Sequence, residues 1–426
     1  MAANNGALAL WQPKFMLKKI PSAQLRLGMY VQEFCGSWMD HPFWRAKFLL
    51  ATEAQLSKVR QSGVHELWID TDKGLDIETG IPEAQVRVMV EQELEHFATM
   101  PAPLMPTVPE SGDDVGQALE LIHRSLPKIT TMFSDARLGK ALDLPGCESM
   151  VDEICESVIS KPHALISVAR LKRHDEYTYM HSVAVCALMI GLGRQLGLND
   201  RLLRKVGLAG MLHDVGKAAM PLEILNRPGK LSDAEFRVMR SHPVRGHALL
   251  TEGGGAGPVV LDVCLHHHEK VDGTGYPHGL AGEQISTVAK MGAICDVYDA
   301  ITSDRPYKRA WSPAESLRQM VQWKGHFDPK VFQAFVRTVG IYPIGSLVRL
   351  RSGRLAVVVE QNAANLLAPR VKAFFDLASN VRVYPREVDL ADAALGDAIE
   401  RYESPSDWRF TDLDELCGLK RLQSGA

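Results

Sequence analysis

The chain has no long apolar run. Over 426 residues the longest, Val183 to Leu192, is about ten residues, roughly half of what a bilayer-spanning helix needs. The N-terminal MAANNGALALWQPKF lacks the basic region and apolar stretch of a secretory signal, so no membrane span and a cytoplasmic location are expected. A basic surplus is missing too. With 48 Lys and Arg against 51 Asp and Glu, the net charge is −3, which argues against a general DNA, RNA or anionic-membrane binder. Any anionic ligand must then be held by local groups. The seven cysteines (Cys35, Cys147, Cys155, Cys186, Cys264, Cys295 and Cys417) are odd in number, scattered and free of a CxxC pair. That pattern fits structural thiols in a reducing compartment rather than a disulfide framework. There is no internal repeat of solenoid period and no sustained heptad pattern.

What remains is a multidomain globular chain, 46% hydrophobic and 23% charged. From Leu17 to Asp72 strand and helix patterns alternate: LRLGMYVQEF reads as a strand, TEAQLSKVRQSG as a helix ending at glycine, VHELWID as a strand. A helical stretch, PEAQVRVMVEQELEHFA, follows. Residues 1–100 are therefore expected to form a small α/β module. Pro101, Pro103, Pro106 and Pro109 with the polar ESGDD run mark 101–115 as a linker. Residues 116–340 read as nearly all helix, and 341–426 as a small β-rich subdomain, with a hairpin around Ser352-Gly353 and a strand in NVRVYPREVDL.

Histidine is concentrated where helix dominates. Ten of the fifteen histidines lie between His163 and His278, and the stretch from Leu212 to Pro277 carries LHDVGKA, SHP and LHHHEKVDGTGYP. Leu202, Val206, Ala209 and His213 recur at helical spacing, so His213 projects from a buried face. His181 shares a face with Val185, Leu188 and Leu192, and Asp296 and Asp299 fall with Val288 and Gly292. Inward ionisable groups on three helices need one another, or a metal, to offset their desolvation. Imidazole with carboxylate is the ligand set of redox-capable divalent metals, and a hydrolytic metal centre is the expectation. His266, the first of three consecutive histidines, reads as structural.

These motifs resemble the HD-GYP family of bacterial cyclic di-GMP phosphodiesterases. The resemblance runs from about Tyr179 to Asp328, through HDVGK, PLEILNRPGKLSDAE, SHP, HHEKVDGTGYP, AICDVYDAITSDRPYK and GHFDP. More loosely, the module with LRLGMYV near its start is similar to the accessory domain often found ahead of HD-GYP domains. The resemblance implies an HD-type metallohydrolase fold for the helical domain. It implies that Asp214 bridges two metals, iron or manganese, with His181, His213 and Asp296 on one and His242, His267 and His268 on the other. Some family members hold a third metal through a glutamate one turn before the first ligand histidine. Tyr177 stands at that position here, so two metals are expected; Asp175 and Glu176 are expected to face solvent.

Two cations would activate a water and neutralise the phosphate during phosphodiester hydrolysis. Lys217, on the HDxGK turn, is suited to hold the scissile phosphate as a point charge. By resemblance Arg305 and Lys308 contact the dinucleotide. In the DGTGYP turn Gly273 and Gly275 permit positive φ, Tyr276 offers a stacking face beside Gly275 and Pro277 for the substrate, and Asp299 orients a ligand or a water. The family credits the same loop with contacts to diguanylate cyclase (GGDEF) domains. The expected activity is conversion of cyclic di-GMP to pGpG and on to GMP. The alternative is a catalytically weak dinucleotide sensor or partner-binding module that keeps the metal cage.

Overall fold

Local signals start the helices. Thr52 Oγ1 accepts from the Gln55 amide at 3.3 Å while the Gln55 side chain accepts from the Thr52 amide at 3.1 Å, a reciprocal cap that opens α1 (Glu53–Gln61). Asn199, Ser286, Ser312 and Asp328 cap later helices one way only, each side chain accepting from a backbone amide of the first turn. The computed structural model describes residues 17–36, 47–62, 64–99, 112–161, 177–227, 231–303, 310–362, 364–408 and 410–418. The chain divides into two compact units, Met1–Val90 and Glu91–Ala426.

The first unit is an antiparallel five-stranded sheet, in the order β3-β2-β4-β1-β5, with α1. Its strands are β1 (Leu17–Pro21), β2 (Tyr30–Phe34), β3 (Phe48–Leu49), β4 (Glu66–Asp70) and β5 (Ile81–Pro82). Ile20, Val31, Leu67 and Ile69 from the sheet bury a core with Leu56 and Val59 of α1. LRLGMYVQEF is not one strand. Gly28 has φ +86°, and a Cβ there would lie 2.8 Å from Leu75 Cδ1, so the chain turns before pairing resumes at Tyr30. β1 is a strand that the expected pattern lacks, because its two lysines conceal the alternation. Lys19 is nonetheless buried, its ammonium 2.7 Å from Glu66.

Helix α2 (Glu83–Thr99) runs from the first unit into the second. There follow α3 (Gly112–Arg137), α4 (Leu144–Ser160), α5 (Tyr177–Gln195), α6 (Asp200–Leu212), α7 (Leu222–Leu225), α8 (Asp233–Met239), α9 (His242–Gly253), α10 (Pro258–His266), α11 (Thr287–Ile301), α12 (Pro313–Gln322) and α13 (Pro329–Val339). α3 begins inside the stretch read as linker. α5 packs on α6 and α11, and α10 on α6, α9 and α11, so the motif-bearing helices share one core. α11 is buried from Ala289 to Ile301, as expected of a helix packed on all sides, yet it carries Asp296 and Asp299 inside.

The C-terminal strands β6 (Leu347–Leu350), β7 (Arg354–Glu360), β8 (Arg370–Asp376), β9 (Val381–Asp389) and β10 (Ile399–Tyr402) form a second antiparallel sheet, in the order β10-β6-β7-β8-β9. The β6–β7 hairpin turns at Ser352-Gly353 as its sequence indicates. Among the described residues no helix is long and apolar enough to cross a membrane.

Candidate metal centre

Five helices and one turn deliver the cluster. His181 comes from the first half of α5, His213 from the end of α6, Asp214 from the residue after it, His242 from the start of α9, His267 and His268 from the end of α10, and Asp296 from the middle of α11. A short 3₁₀ turn, Val215–Ala219, carries Lys217. Close backbone packing holds that turn against α9: a Cβ on Gly216 would lie 1.9 Å from the His242 carbonyl oxygen.

The side chains gather into two sets of four, His181, His213, Asp214 and Asp296, and Asp214, His242, His267 and His268, each with donor atoms within 4.8 Å of one another. Asp214 belongs to both. Its Oδ2 lies 3.3 Å from His213 Nε2 and 3.5 Å from His181 Nε2, while its Oδ1 lies 3.2 Å from His242 Nε2 and 3.8 Å from His267 Nε2. Asp296 Oδ1 is 3.0 Å from His181 Nε2 and its Oδ2 is 3.9 Å from His268 Nδ1.

Backbone carbonyls select the tautomers. His213 Nδ1 donates to the Gly210 carbonyl at 2.7 Å, His242 Nδ1 to that of Met239 at 2.8 Å, and His267 Nδ1 to those of Val263 and Cys264, both at 3.0 Å. His181 Nδ1 lies 2.6 Å from Asp299 Oδ2, so the carboxylate of Asp299 plays the same part. In its neutral form each of these rings presents its Nε2 lone pair inward, toward carboxylate oxygens. Lone pairs facing lone pairs in a buried site repel unless a cation lies between them. His213 Nε2, Asp214 Oδ1 and Asp296 Oδ2 are buried and make no hydrogen bond, a cost that a bound cation would remove. The donor set therefore fits divalent metal ions, and the nitrogen and oxygen mixture suits iron, manganese or zinc.

Electrostatics divides the site. Burial, with the neighbouring His213 and His242, pushes His267 down to about 3, and burial holds His268 well below the usual histidine range; both are neutral at pH 7. Burial also disfavours the charged form of His213, but Asp214 and Asp296 outweigh it and raise His213 to about 10. Burial alone would raise both carboxylates; Lys217 and His213 hold Asp214, and His181 and His213 hold Asp296, well below the usual range. The uncompensated carboxylates thus retain a proton on the His213 side, in the position a metal ion would take in exchange for it. Lys217 Nζ contacts Asp214 Oδ2, and its side chain is 24% exposed.

The glycine turn closes one side. Gly275 has an ordinary backbone conformation, but a Cβ on it would lie 2.4 Å from the Lys270 nitrogen. Gly273 is the residue with positive φ, +80°. The Tyr276 amide donates to the His268 carbonyl at 3.1 Å, and its ring stacks on His268 with centroids 4.6 Å apart. Buried Glu269 accepts from the amides of His278 at 2.7 Å and Leu280 at 3.0 Å, so Pro277 is held between two anchored residues. His266 points away from the cage, with Nδ1 2.7 Å from Asp262 and Nε2 3.2 Å from His278 Nδ1.

Residues 158–331 match the family profile of an HD domain, and residues 17–147 match a domain of unknown function, DUF3391. A cyclic di-GMP phosphodiesterase of Pseudomonas aeruginosa is 54% identical over 404 residues, which cover 94% of this chain and 95% of that protein. The chain belongs to the HD-GYP family. A cyclic di-GMP phosphodiesterase response regulator of Xanthomonas campestris is 41% identical over 40% of this chain and 47% of its own length. A 3′3′-cGAMP-specific phosphodiesterase of Vibrio cholerae is 35% identical over 51% of this chain and 47% of its own.

Within this HD-GYP chain, Arg305 and Lys308 lie outside the described residues, as do Asp175, Glu176 and the side chain of Tyr177, whose backbone opens α5. Glu269 and Arg240 were not singled out by sequence reasoning. Glu269 sits between the histidine pair and the glycine turn, and that position, in a segment expected to be tightly turned, was the available signal. Arg240 had none, because its environment is made by residues 36 positions away.

Proposed function

We propose that the chain is a metal-dependent phosphodiesterase that opens cyclic di-GMP to pGpG and proceeds to GMP. The observation that supports this most is Asp214, one oxygen facing each set of histidines in a site where imidazole lone pairs and carboxylates converge. The ligands in this reading are His181, His213 and Asp296 on one side, His242, His267 and His268 on the other, and Asp214 common to both. Two divalent cations held there, iron or manganese, would supply Lewis acidity and an activated water at neutral pH.

The protein's own groups do the rest. Asp299 fixes the His181 ring and its tautomer. The neutral rings of His267 and His268 stay available as donors down to mildly acidic pH. Lys217, half-way to solvent beside Asp214, holds the scissile phosphate by charge. Tyr276, with Gly275 and Pro277, forms the wall beside His268. Its ring already packs on His268 and Arg240, so it meets the substrate by its edge and hydroxyl rather than by a free stacking face, and Arg305 and Lys308 complete the dinucleotide contacts. The same turn is the candidate contact for GGDEF domains. The reading places the protein in the cytoplasm and keeps the division 1–100, 101–115, 116–340 and 341–426, which rests on composition and on the proline-rich run. The two-metal count rests on Tyr177 standing where a third site would need a carboxylate.

The test is incubation of the protein, loaded anaerobically with iron or with manganese, with cyclic di-GMP, followed by chromatography. The expected product is pGpG, then GMP. Absence of pGpG under every metal loading, with tight dinucleotide binding retained, overturns the enzyme reading and favours the sensor.

A further inference from the structure

Arg240 ends α8 and stands two residues before His242, so the backbone holds it rigidly relative to the metal cage. Its guanidinium carbon lies 4.4 Å from the Tyr276 ring centroid and 6.0 Å from that of Phe236. Tyr276 in turn stacks on His268, with centroids 4.6 Å apart, so one phenol ring contacts both a cage imidazole and the Arg240 guanidinium. Among the described residues the guanidinium has no hydrogen bond and no carboxylate within ion-pair distance. This is unusual company for a half-buried arginine. Two other arginines of the second unit are paired with carboxylates: Arg318 makes a bidentate pair with Glu91 at 2.6 and 2.9 Å, and Arg349 meets Glu403 at 2.7 Å.

The loop does not need Arg240 as a brace. Tyr276 is already held by the hydrogen bond its amide donates to the His268 carbonyl, and His278 and Leu280 by those their amides donate to Glu269. A guanidinium lying flat on a ring keeps its N–H donors around the rim, where a planar fork can take two oxygens of one phosphate. A cyclic dinucleotide has two phosphodiesters. The cage with Lys217 would address the one to be cleaved, and among the described residues Arg240 is the cation beside the cage that no carboxylate neutralises and that is left to meet the other.

We infer that Arg240 binds the second, uncleaved phosphodiester of the cyclic dinucleotide, using the Tyr276 ring as its platform. The inference rests on the phosphodiesterase reading above and adds a specificity residue to it: a substrate must present an anion beyond the layer of Tyr276 as well as at the metals.

The test compares the full-length metal-loaded protein with Arg240→Met, which keeps an apolar stem, and Arg240→Lys, which keeps the charge without the fork. Cyclic di-GMP is set against bis(4-nitrophenyl) phosphate, which has one phosphate only. Loss of a hydrogen-bonded charge contact predicts that R240M raises KM for cyclic di-GMP about 10- to 100-fold relative to the single-phosphate substrate, with kcat little moved. R240K should recover part of the loss, and metal content per chain should be the same in all three. The loss should also appear, in equal proportion, in the inhibition constant of cyclic di-AMP, which shares the backbone but not the base. A KM unchanged in R240M overturns the inference. So does a fall in metal content with KM unchanged, which would make Arg240 a brace, or a loss confined to guanine-bearing ligands, which would make it a base reader. Failure of the wild type to open cyclic di-GMP would sink the phosphodiesterase reading instead; Arg240 would then be judged on the Kd of pGpG, equal values in wild type and R240M refuting it.

Discussion

Glu269 offers the sharpest test of how the glycine turn is held. Its carboxylate, 2% exposed, accepts two backbone amides, from His278 at 2.7 Å and Leu280 at 3.0 Å. Hydrogen bonds to a charged acceptor contribute about 1.5–3 kcal/mol each, so the pair sets an upper range of about 3–6 kcal/mol on the closing of this turn. His278 is exposed, and water can satisfy the released amides, which places the expected cost of Glu269→Ala near the lower end, about 3 kcal/mol or roughly a hundredfold in the opening equilibrium. The opening is local, because the turn borders solvent while the cage histidines are buried in α10 and α9. Native-state hydrogen exchange of the His278 and Leu280 amides should therefore quicken about a hundredfold, with metal content and the melting transition nearly intact. Glu269→Gln keeps one acceptor oxygen and should show about a tenth of that effect. Exchange unchanged in Glu269→Ala, or global unfolding with parallel loss of metal, would refute the reasoning.

Three further outcomes follow from the same geometry. Replacing His213 and Asp214 together with alanine should abolish metal content, by elemental analysis, and turnover in step; surviving activity would show the site to be elsewhere. Asp299→Ala removes the partner of His181 Nδ1 at 2.6 Å and should weaken metal affinity about 10- to 100-fold, measured by competition with a chelator, while the fold melts close to wild type. Asp328 caps α13 and lies 2.9 Å from buried Lys290. Burial opposes its ionisation, but the Lys290 bond prevails and lowers its carboxyl below the usual value. Its contribution is therefore full above the unfolded value of about 3.9 and is lost as pH falls through the lower folded one. Asp328→Ala should cost about 3 kcal/mol at pH 7, from the lost cap and from a buried lysine left with the exposed Glu283 carboxylate at 3.9 Å, and the difference from wild type should shrink below about pH 4 in urea titrations.

Helical periodicity alone brought His181, His213 and Asp296 onto inward faces, and the HD, SHP and HHE motifs supplied the other donors, because a helix in a crowded core must commit its faces along the chain. The C-terminal hairpin was legible for a similar reason, since a turn and alternation are local properties. β1 was hidden because its burial of Lys19 depends on Glu66, and LRLGMYVQEF was over-read because Gly28 turns only where Leu75 packs on it. At the centre, sequence order says which residues can bind metal but not which oxygen faces which imidazole. The division of Asp214 between two histidine sets, the carbonyls that take Nδ1 of His213, His242 and His267, the anchoring of the turn by Glu269 and the placing of Arg240, without a carboxylate among the described residues, over Tyr276 arise from the packing of α5, α6, α8, α9, α10 and α11. They depend on distances of a few ångströms between segments far apart in the chain, and only the tertiary structure decides those.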